Sequence, residues 1–306
     1  MIGLAQIGCY IPEKKISNLT LLDKFETDEV FIRDKIGVVQ RARKEPEEKA
    51  SDLCIKAYDN LLSKQSIELE EIKCCVVVTQ NPDFNIPHTA AIVHGELGLS
   101  EDCASFDISL GCSGYVYALS IVTAFMQANG MEKGLLFTAD PYSDIIDESD
   151  KNTALIFGDA GTVTLLDVNA QLKPLAFDFG TKGSGYKNLI NSDKLYMNGR
   201  AVFNFSAATV PVSINKLLDK LDLSKNQIDR WYLHQGSKYI VDTITNRLDI
   251  NKETVIFDMY EYGNTVSSSI PLLLSKDISK FQKGQKVALS GFGVGLSWAS
   301  TILGKY

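Results

Sequence analysis

The feature of this 306-residue chain that most restricts its fold is an order of elements that occurs twice. In the first half a short apolar run, Val76-Val-Val-Thr-Gln80, is followed by a helical stretch, Thr89 to Leu97. The β-prone run Ala104 to Leu110 then leads into Gly111-Cys112 and a helix, and Leu135-Leu-Phe-Thr-Ala139 follows. In the second half Trp231-Tyr-Leu-His-Gln235 precedes a helix from Lys238 to Leu248. The strand Thr254 to Asp258, the junction Gly263-Asn264, a helix through Leu274 and Val287-Ala-Leu-Ser-Gly291 complete the round. Thr79 lies 33 residues before Cys112, and His234 lies 30 before Asn264. Runs this short and apolar suit strands buried on both faces. Their alternation with helices implies an α/β fold. The repetition implies two similar halves, 1–168 and 169–306, about a pseudo-twofold axis. Chance similarity between two α/β strings is the competing explanation.

The remaining segments are read from local pattern. Gly3 to Cys9 is an entry strand ending at the turn Pro12-Glu13. Asp23 to Glu48 is charged and irregular, and is expected to be a surface helix and loop. Ser51 is expected to cap a helix burying Leu53, Ala57, Tyr58, Leu61 and Leu62. Ala154 to Leu166 reads as a hairpin turning at Gly158-Asp159-Ala160-Gly161. Lys182 to Arg200, rich in Gly, Asn, Lys and Tyr, reads as a long surface excursion, and loops of that length are often functional. A helix is expected over 205–220, a strand over Lys286 to Gly293, and Leu296 to Leu303 closes the chain.

Composition narrows the partners. A net charge of −7 and a pI near 5.1 argue against general nucleic-acid binding. No apolar run is long enough for a membrane helix, and the N-terminus lacks the basic start and long apolar region of a signal peptide. The six cysteines (9, 54, 74, 75, 103 and 112) form no C-x-x-C pair. A reducing, cytoplasmic setting is expected. The three histidines (88, 94 and 234) have no metal-site spacing, so no metal is expected.

Cys112 lies where a strand ends and a helix begins, with Tyr115, Leu119, Val122 and Met126 at helical spacing behind it. Helix N-termini stabilise anions, so the pattern predicts a thiol of lowered pKa and a nucleophile. A buried structural cysteine is the plainer reading. His234 alone reads as well as a satisfied strand-end histidine, and Asn264 as a turn or capping residue. The halves place all three at equivalent strand ends and helix starts, where ligands of open α/β sheets bind.

The residues carry a family resemblance. Gly8-Cys-Tyr-Ile-Pro-Glu-Lys-Lys-Ile-Ser-Asn18, Gly111-Cys-Ser-Gly-Tyr115, Ile156-Phe-Gly-Asp-Ala-Gly161, Leu233-His-Gln235, Tyr262-Gly-Asn-Thr265 and Gly291-Phe-Gly-Val-Gly295 follow one another as in β-ketoacyl-acyl-carrier-protein synthase III, of the thiolase superfamily. The resemblance covers nearly the whole chain. It implies a thiolase-like fold, two pseudo-twofold-related α/β halves in a five-layer αβαβα arrangement. It implies that Cys112 takes an acyl group from a thioester. His234 and Asn264 then donate hydrogen bonds to the oxygen of a malonyl thioester as CO2 leaves and an enolate forms. The carbanion attacks the acyl-Cys112 carbonyl, whose oxyanion is held by the backbone N–H groups of Cys112 and Val294. Phe157 and Phe292 are expected to line the pocket. No cofactor is implied beyond acyl-CoA or acyl-carrier protein as substrate. Homodimers are implied, with Ile86 capping the neighbouring pocket; local loop packing is an equal reading of Ile86.

This chain departs from the family pattern in places. Phe31 stands for a Trp that stacks on adenine and Lys35 for an Arg, which weighs against acetyl-CoA as primer and leaves a carrier-protein donor open. Val294 stands for a glycine, where a positive φ would be costly. Ser237 replaces an Asn and Tyr239 a basic residue. The candidate contacts for CoA or an acidic carrier are Lys35, Ser237, Lys238 and Arg247, together with Lys182, Lys187 and Arg200; ordinary solvated faces are the alternative. Three other readings stand beside condensation. One is a non-condensing acyltransferase of the same fold that passes the acyl group to an amine or hydroxyl. The others are a Cys-His-Asn hydrolase and a silent partner subunit.

Overall fold

The structure is a computed structural model that describes residues 1–306. Its first half runs β1 (Gly3–Tyr10), β2 (Lys15–Ser17), β3 (Gln40–Ala42), α1 (Ala50–Leu62), β4 (Ile72–Val78), α2 (Thr89–Leu97), β5 (Ala104–Ile108), α3 (Gly114–Ala128), β6 (Lys133–Ala139), α4 (Lys151–Ala154) and β7 (Gly161–Asp167). The second runs β8 (Leu172–Thr181), β9 (Leu189–Asn191), β10 (Leu195–Met197), α5 (Gly199–Leu221), β11 (Arg230–Leu233), α6 (Lys238–Leu248), α7 (Ser269–Ser275), β12 (Lys286–Gly293) and β13 (Ser297–Lys305).

Nine strands form one mixed sheet in the order β11-β12-β13-β8-β1-β7-β6-β4-β5. The two middle strands, β1 and β8, touch through a single pair, Leu4 and Leu172. Outward from that joint the first half reads β1-β7-β6-β4-β5 and the second β8-β13-β12-β11. The expected strand at 254–258 shrinks to one bridge between Val255 and Trp231, on the far side of β11 and in the place β5 holds in the other half. Strand directions match as well. β4 runs parallel to β5 and β6, β11 runs parallel to β12, and β6–β7 and β12–β13 are antiparallel. The strand order and directions of the two halves therefore correspond, although 254–258 does not form the expected strand and β8 was not among the strands expected from sequence.

Three apolar layers build the core, one joining the halves and one on the outer face of each. Tyr115, Leu119, Val122 and Met126 of α3 pack with Ile270, Leu273 and Leu274 of α7 and with inward residues of β1, β4, β11, β12 and β13. These two helices form the central layer. Helices α1 and α2 cover the other face of the first-half strands, and α5 and α6 cover the second-half strands. The result is the five-layer αβαβα thiolase-like arrangement. Each fully buried Leu, Ile or Val in these layers contributes about 1.5–3 kcal/mol.

Several local expectations are corrected. Ser51 is not the cap of α1. The helix begins at Ala50, Asp52 accepts the Lys49 N–H at 2.8 Å, and Ser51 N–H bonds to Asp83 at 3.0 Å. The segment 154–166 is no hairpin. Only Gly161–Asp167 is a strand, and Phe157 instead bridges to Asn264. Residues 23–48 are not simply a surface segment, since Ile32, Ile36, Val38 and Ala42 are buried. The 182–200 stretch also turns inward, burying Leu189 and Leu195. The helix expected at 205–220 begins earlier, at Gly199, within that stretch. No helix is long and apolar enough to cross a membrane.

Candidate active site

Strand ends and helix starts of both halves converge on one cavity of about 460 Å³. Cys112, His234 and Asn264 all line it, together with Phe31, Lys35, Phe157, Ser237 and Phe292. Its deeper apolar wall comes from Ile156, Leu189, Met197 and Val202. Leu189 and Met197 belong to β9 and β10, which explains why the polar 182–200 stretch turns inward. No carboxylate lines the cavity.

Cys112 sits just ahead of α3 and is buried. The helix-start argument predicted a lowered thiol pKa. Burial instead pushes it up to about 12, while hydrogen bonds from the Val294 and Cys112 backbones oppose the shift and the Asp140 charge adds to it. Desolvation therefore outweighs the helix end. The same two N–H groups are the oxyanion donors expected from sequence. Val294 needs no positive φ, because that conformation falls on its neighbours Gly293 (φ 155°) and Gly295 (φ 128°).

His234 follows β11 and is 2 % exposed. Its backbone N–H donates to Ser290 at 2.8 Å, locking the strand end. Nδ1 lies 2.7 Å from Ser269 Oγ. Burial lowers the imidazole to about 3, against a hydrogen bond to the Val266 backbone. The ring is neutral at physiological pH. The Phe292 ring meets it edge-on at 5.5 Å.

Asn264 precedes the short turn that leads into α7. Its backbone is clamped by the first half, with its N–H on the Ile156 carbonyl at 2.8 Å and its carbonyl on the Gly158 N–H at 3.0 Å. Its Oδ1 accepts the Val266 N–H at 2.9 Å. No protein acceptor engages Nδ2, which remains a free donor. Val266 holds a φ of 54°, a costly conformation for a β-branched residue. Sequence reasoning missed Val266 and Ser269. The Ser267-Ser-Ser269 run directly after the Asn264 motif was the available signal, because all three serines are buried.

The outlying candidates separate. Phe31 faces the cavity, and the Lys151 ammonium lies 4.7 Å over its ring. Lys35 sits 4.3 Å over Tyr239, which stacks on Phe203 at 5.1 Å. Lys238 does not line the cavity and pairs with Asp242 at 2.6 Å. Arg247 is also outside it and donates to the Ala207 carbonyl at 2.9 Å. Ile86 is 88 % exposed and stands outside its own chain's cavity.

Comparison with known proteins gives a consistent result. Two family models match: "3-oxoacyl-[acyl-carrier-protein (ACP)] synthase III" over residues 106–183 and its C-terminal domain over residues 218–305. A β-ketoacyl-[acyl-carrier-protein] synthase III of Lactococcus lactis is 33 % identical over 98 % of both chains. The Streptococcus agalactiae protein of that name is 34 % identical over 98 % of both. The crystal structure of the Thermus thermophilus synthase III superposes with a TM-score of 0.92 at 31 % identity, covering 99 % of each chain.

Proposed function

The chain belongs to the β-ketoacyl-[acyl-carrier-protein] synthase III family, and from that premise we propose how its own residues divide the condensing reaction. The enzyme condenses an acyl thioester with malonyl-acyl-carrier protein through an acyl-cysteine, with loss of CO2. In the first half-reaction Cys112 sulfur attacks the acyl carbonyl. The C–S bond to the donor breaks, and the donor thiol leaves with the proton that Cys112 gave up. Because the resting thiol is protonated, its deprotonation accompanies attack. In the second, the C–C bond to the malonyl carboxylate breaks and the electron pair moves into the thioester as an enolate. Its carbon attacks the acyl-Cys112 carbonyl, and collapse of the adduct returns the electrons to sulfur, which takes up one proton from solvent.

Asn264 supports this reading more than any other residue. Its Oδ1 is occupied by Val266, so the amide presents Nδ2 to the cavity. Ser269 Oγ lies 2.7 Å from His234 Nδ1 and fixes the ring, and in this reading Nε2 carries the proton. Two neutral donors then meet the enolate oxygen, where a carboxylate would repel it. A Cys-His-Asn hydrolase would have the asparagine orient the histidine. Here Ser269 does that, and Asn264 bonds elsewhere.

In the same reading the substrate arm enters past Phe31, Lys35, Ser237 and Tyr239, no cofactor takes part, and the acyl chain lies against Phe157 and Leu189. The protein works as a homodimer. The free edge of β5 supports this, with exposed Phe84 and Ile86 beside it on a loop tied to β5 through Asp107. Incubation with an acyl thioester and malonyl-carrier protein tests the assignment. Acyl-Cys112 by intact mass, equimolar CO2 and a 3-oxoacyl product are expected. Stable acyl-Cys112 without CO2 would overturn condensation in favour of simple acyl transfer.

A further inference from the structure

Asp140, the residue that follows β6, is fully buried and no cation pairs with it. It does not line the cavity, and the reaction above has no use for it. A buried carboxylate without a counter-ion is expensive unless hydrogen bonds replace water. Here they do. Oδ1 accepts the Gln80 N–H at 2.7 Å, and Oδ2 accepts both the Ser267 hydroxyl and, at 3.4 Å, the Ser267 N–H. Gln80 is in turn fixed by the Tyr142 hydroxyl, 3.0 Å from its Oε1.

Ser267 is the key partner because of what precedes it. Val266, at φ 54°, supplies the N–H that holds Asn264 Oδ1, and its backbone also hydrogen-bonds the His234 ring. The next two serines are anchored elsewhere. Ser268 Oγ meets Thr138 Oγ1 at 2.8 Å, and Ser269 Oγ meets His234 Nδ1 at 2.7 Å. Thus the end of β6 in one half pins the turn of the other half that carries Asn264 and touches the His234 ring.

We infer that Asp140 is a positioning residue for the decarboxylation half-reaction, holding the strained 264–267 turn through Ser267 so that Asn264 and His234 stay aimed into the cavity. A charged acceptor suits this task, since charge-assisted hydrogen bonds are about twice as strong as neutral ones and the turn holds Val266 in a conformation costly for a β-branched residue. The inference rests on the division of labour proposed above. It also gives the two half-reactions opposite responses. Asp140's charge raises the Cys112 thiol, so removing it makes the nucleophile easier to ionise while loosening the enolate donors.

The test uses the full chain with Asp140→Asn, Ser267→Ala and Ser267→Thr. Acyl loading is timed by intact mass, and CO2 release from malonyl-carrier protein is measured in a Cys112→Ala background. Asp140→Asn and Ser267→Ala are expected to slow CO2 release by about tenfold or more, with acyl loading no slower than wild type. Ser267→Thr, which keeps the hydroxyl, is expected to stay within about threefold. Unchanged CO2 release in the first two variants overturns the inference. So does a parallel fall in both half-reactions, the signature of general structural damage. Wild-type protein that neither loads acyl groups nor releases CO2 would overturn the proposed function as well.

Discussion

Gly293 approaches Cys112 so closely that a Cβ added to it would stand 2.7 Å from Sγ and 2.9 Å from the cysteine Cβ. Its φ of 155° is also one that side chains rarely adopt. The absence of a side chain therefore lets the backbone pass against the thiol and deliver the next N–H, that of Val294, to the sulfur. Gly293→Ala must push Cys112 aside or turn the Val294 N–H away. A displacement near 1 Å in such a site costs about 10²-fold. Acyl loading should fall by about that factor in an intact-mass time course. Loading at the wild-type rate would show that the close approach has no catalytic consequence.

The resting thiol should behave as a thiol and not as a standing thiolate. Burial holds it near 12, so the ionised fraction rises about tenfold per pH unit throughout the neutral range. Alkylation of Cys112 by iodoacetamide, followed by mass spectrometry, should accelerate by about a hundredfold between pH 7 and pH 9. A rate that levels off below pH 8 would restore the lowered pKa expected from the helix start.

His234 links the site to stability with a definite sign. Its folded pKa is depressed to about 3, below the ordinary value of 6.5. Between those values the unfolded chain binds the proton and the folded chain does not. Stability tied to this residue is full above pH 6.5 and is lost as pH falls, by about 1.4 kcal/mol per unit. Asp140, raised to about 6 by burial, acts in the opposite direction over part of that range. The comparison that isolates the histidine is therefore wild type against His234→Gln. Between pH 7 and pH 5 the wild type should lose about 2 kcal/mol relative to the variant in urea denaturation. Parallel pH profiles would mean that the buried ring is protonated in the folded protein.

Much of this site was legible because the fold repeats. The matched strings at Thr79 and His234, and at Cys112 and Asn264, place three distant residues together without any knowledge of side-chain contacts. The cavity confirms that meeting. Opposing energies decided what the strings could not. The helix end at Cys112 is visible in the sequence, but the desolvation that overrides it depends on packing from Gly293 and Tyr142, far along the chain. The hairpin pattern at 154–166 failed because Ile156 and Gly158 give their backbone groups to Asn264 instead. The polar 182–200 stretch hid Leu189 and Met197, two apolar residues among many polar ones, whose role appears only when the β9–β10 pair folds against α5.

Asn264 separates condensation from its rivals most sharply. Asn264→Asp is nearly isosteric, and a carboxylate oxygen can still accept the Val266 N–H that Oδ1 accepts now. What changes is the other atom. The Nδ2 donor becomes an anionic oxygen facing the site where negative charge develops. Losing one preorganised donor costs about 10²–10³-fold, and repulsion adds to that. CO2 release from malonyl-carrier protein should therefore drop by at least about 10²-fold. Acyl loading of Cys112 should persist within about threefold, since Asn264 takes no part in that step. A hydrolase or a simple acyltransferase would show no such split between half-reactions. Equal loss of loading and CO2 release in Asn264→Asp would thus argue that the amide serves the nucleophile and not the enolate.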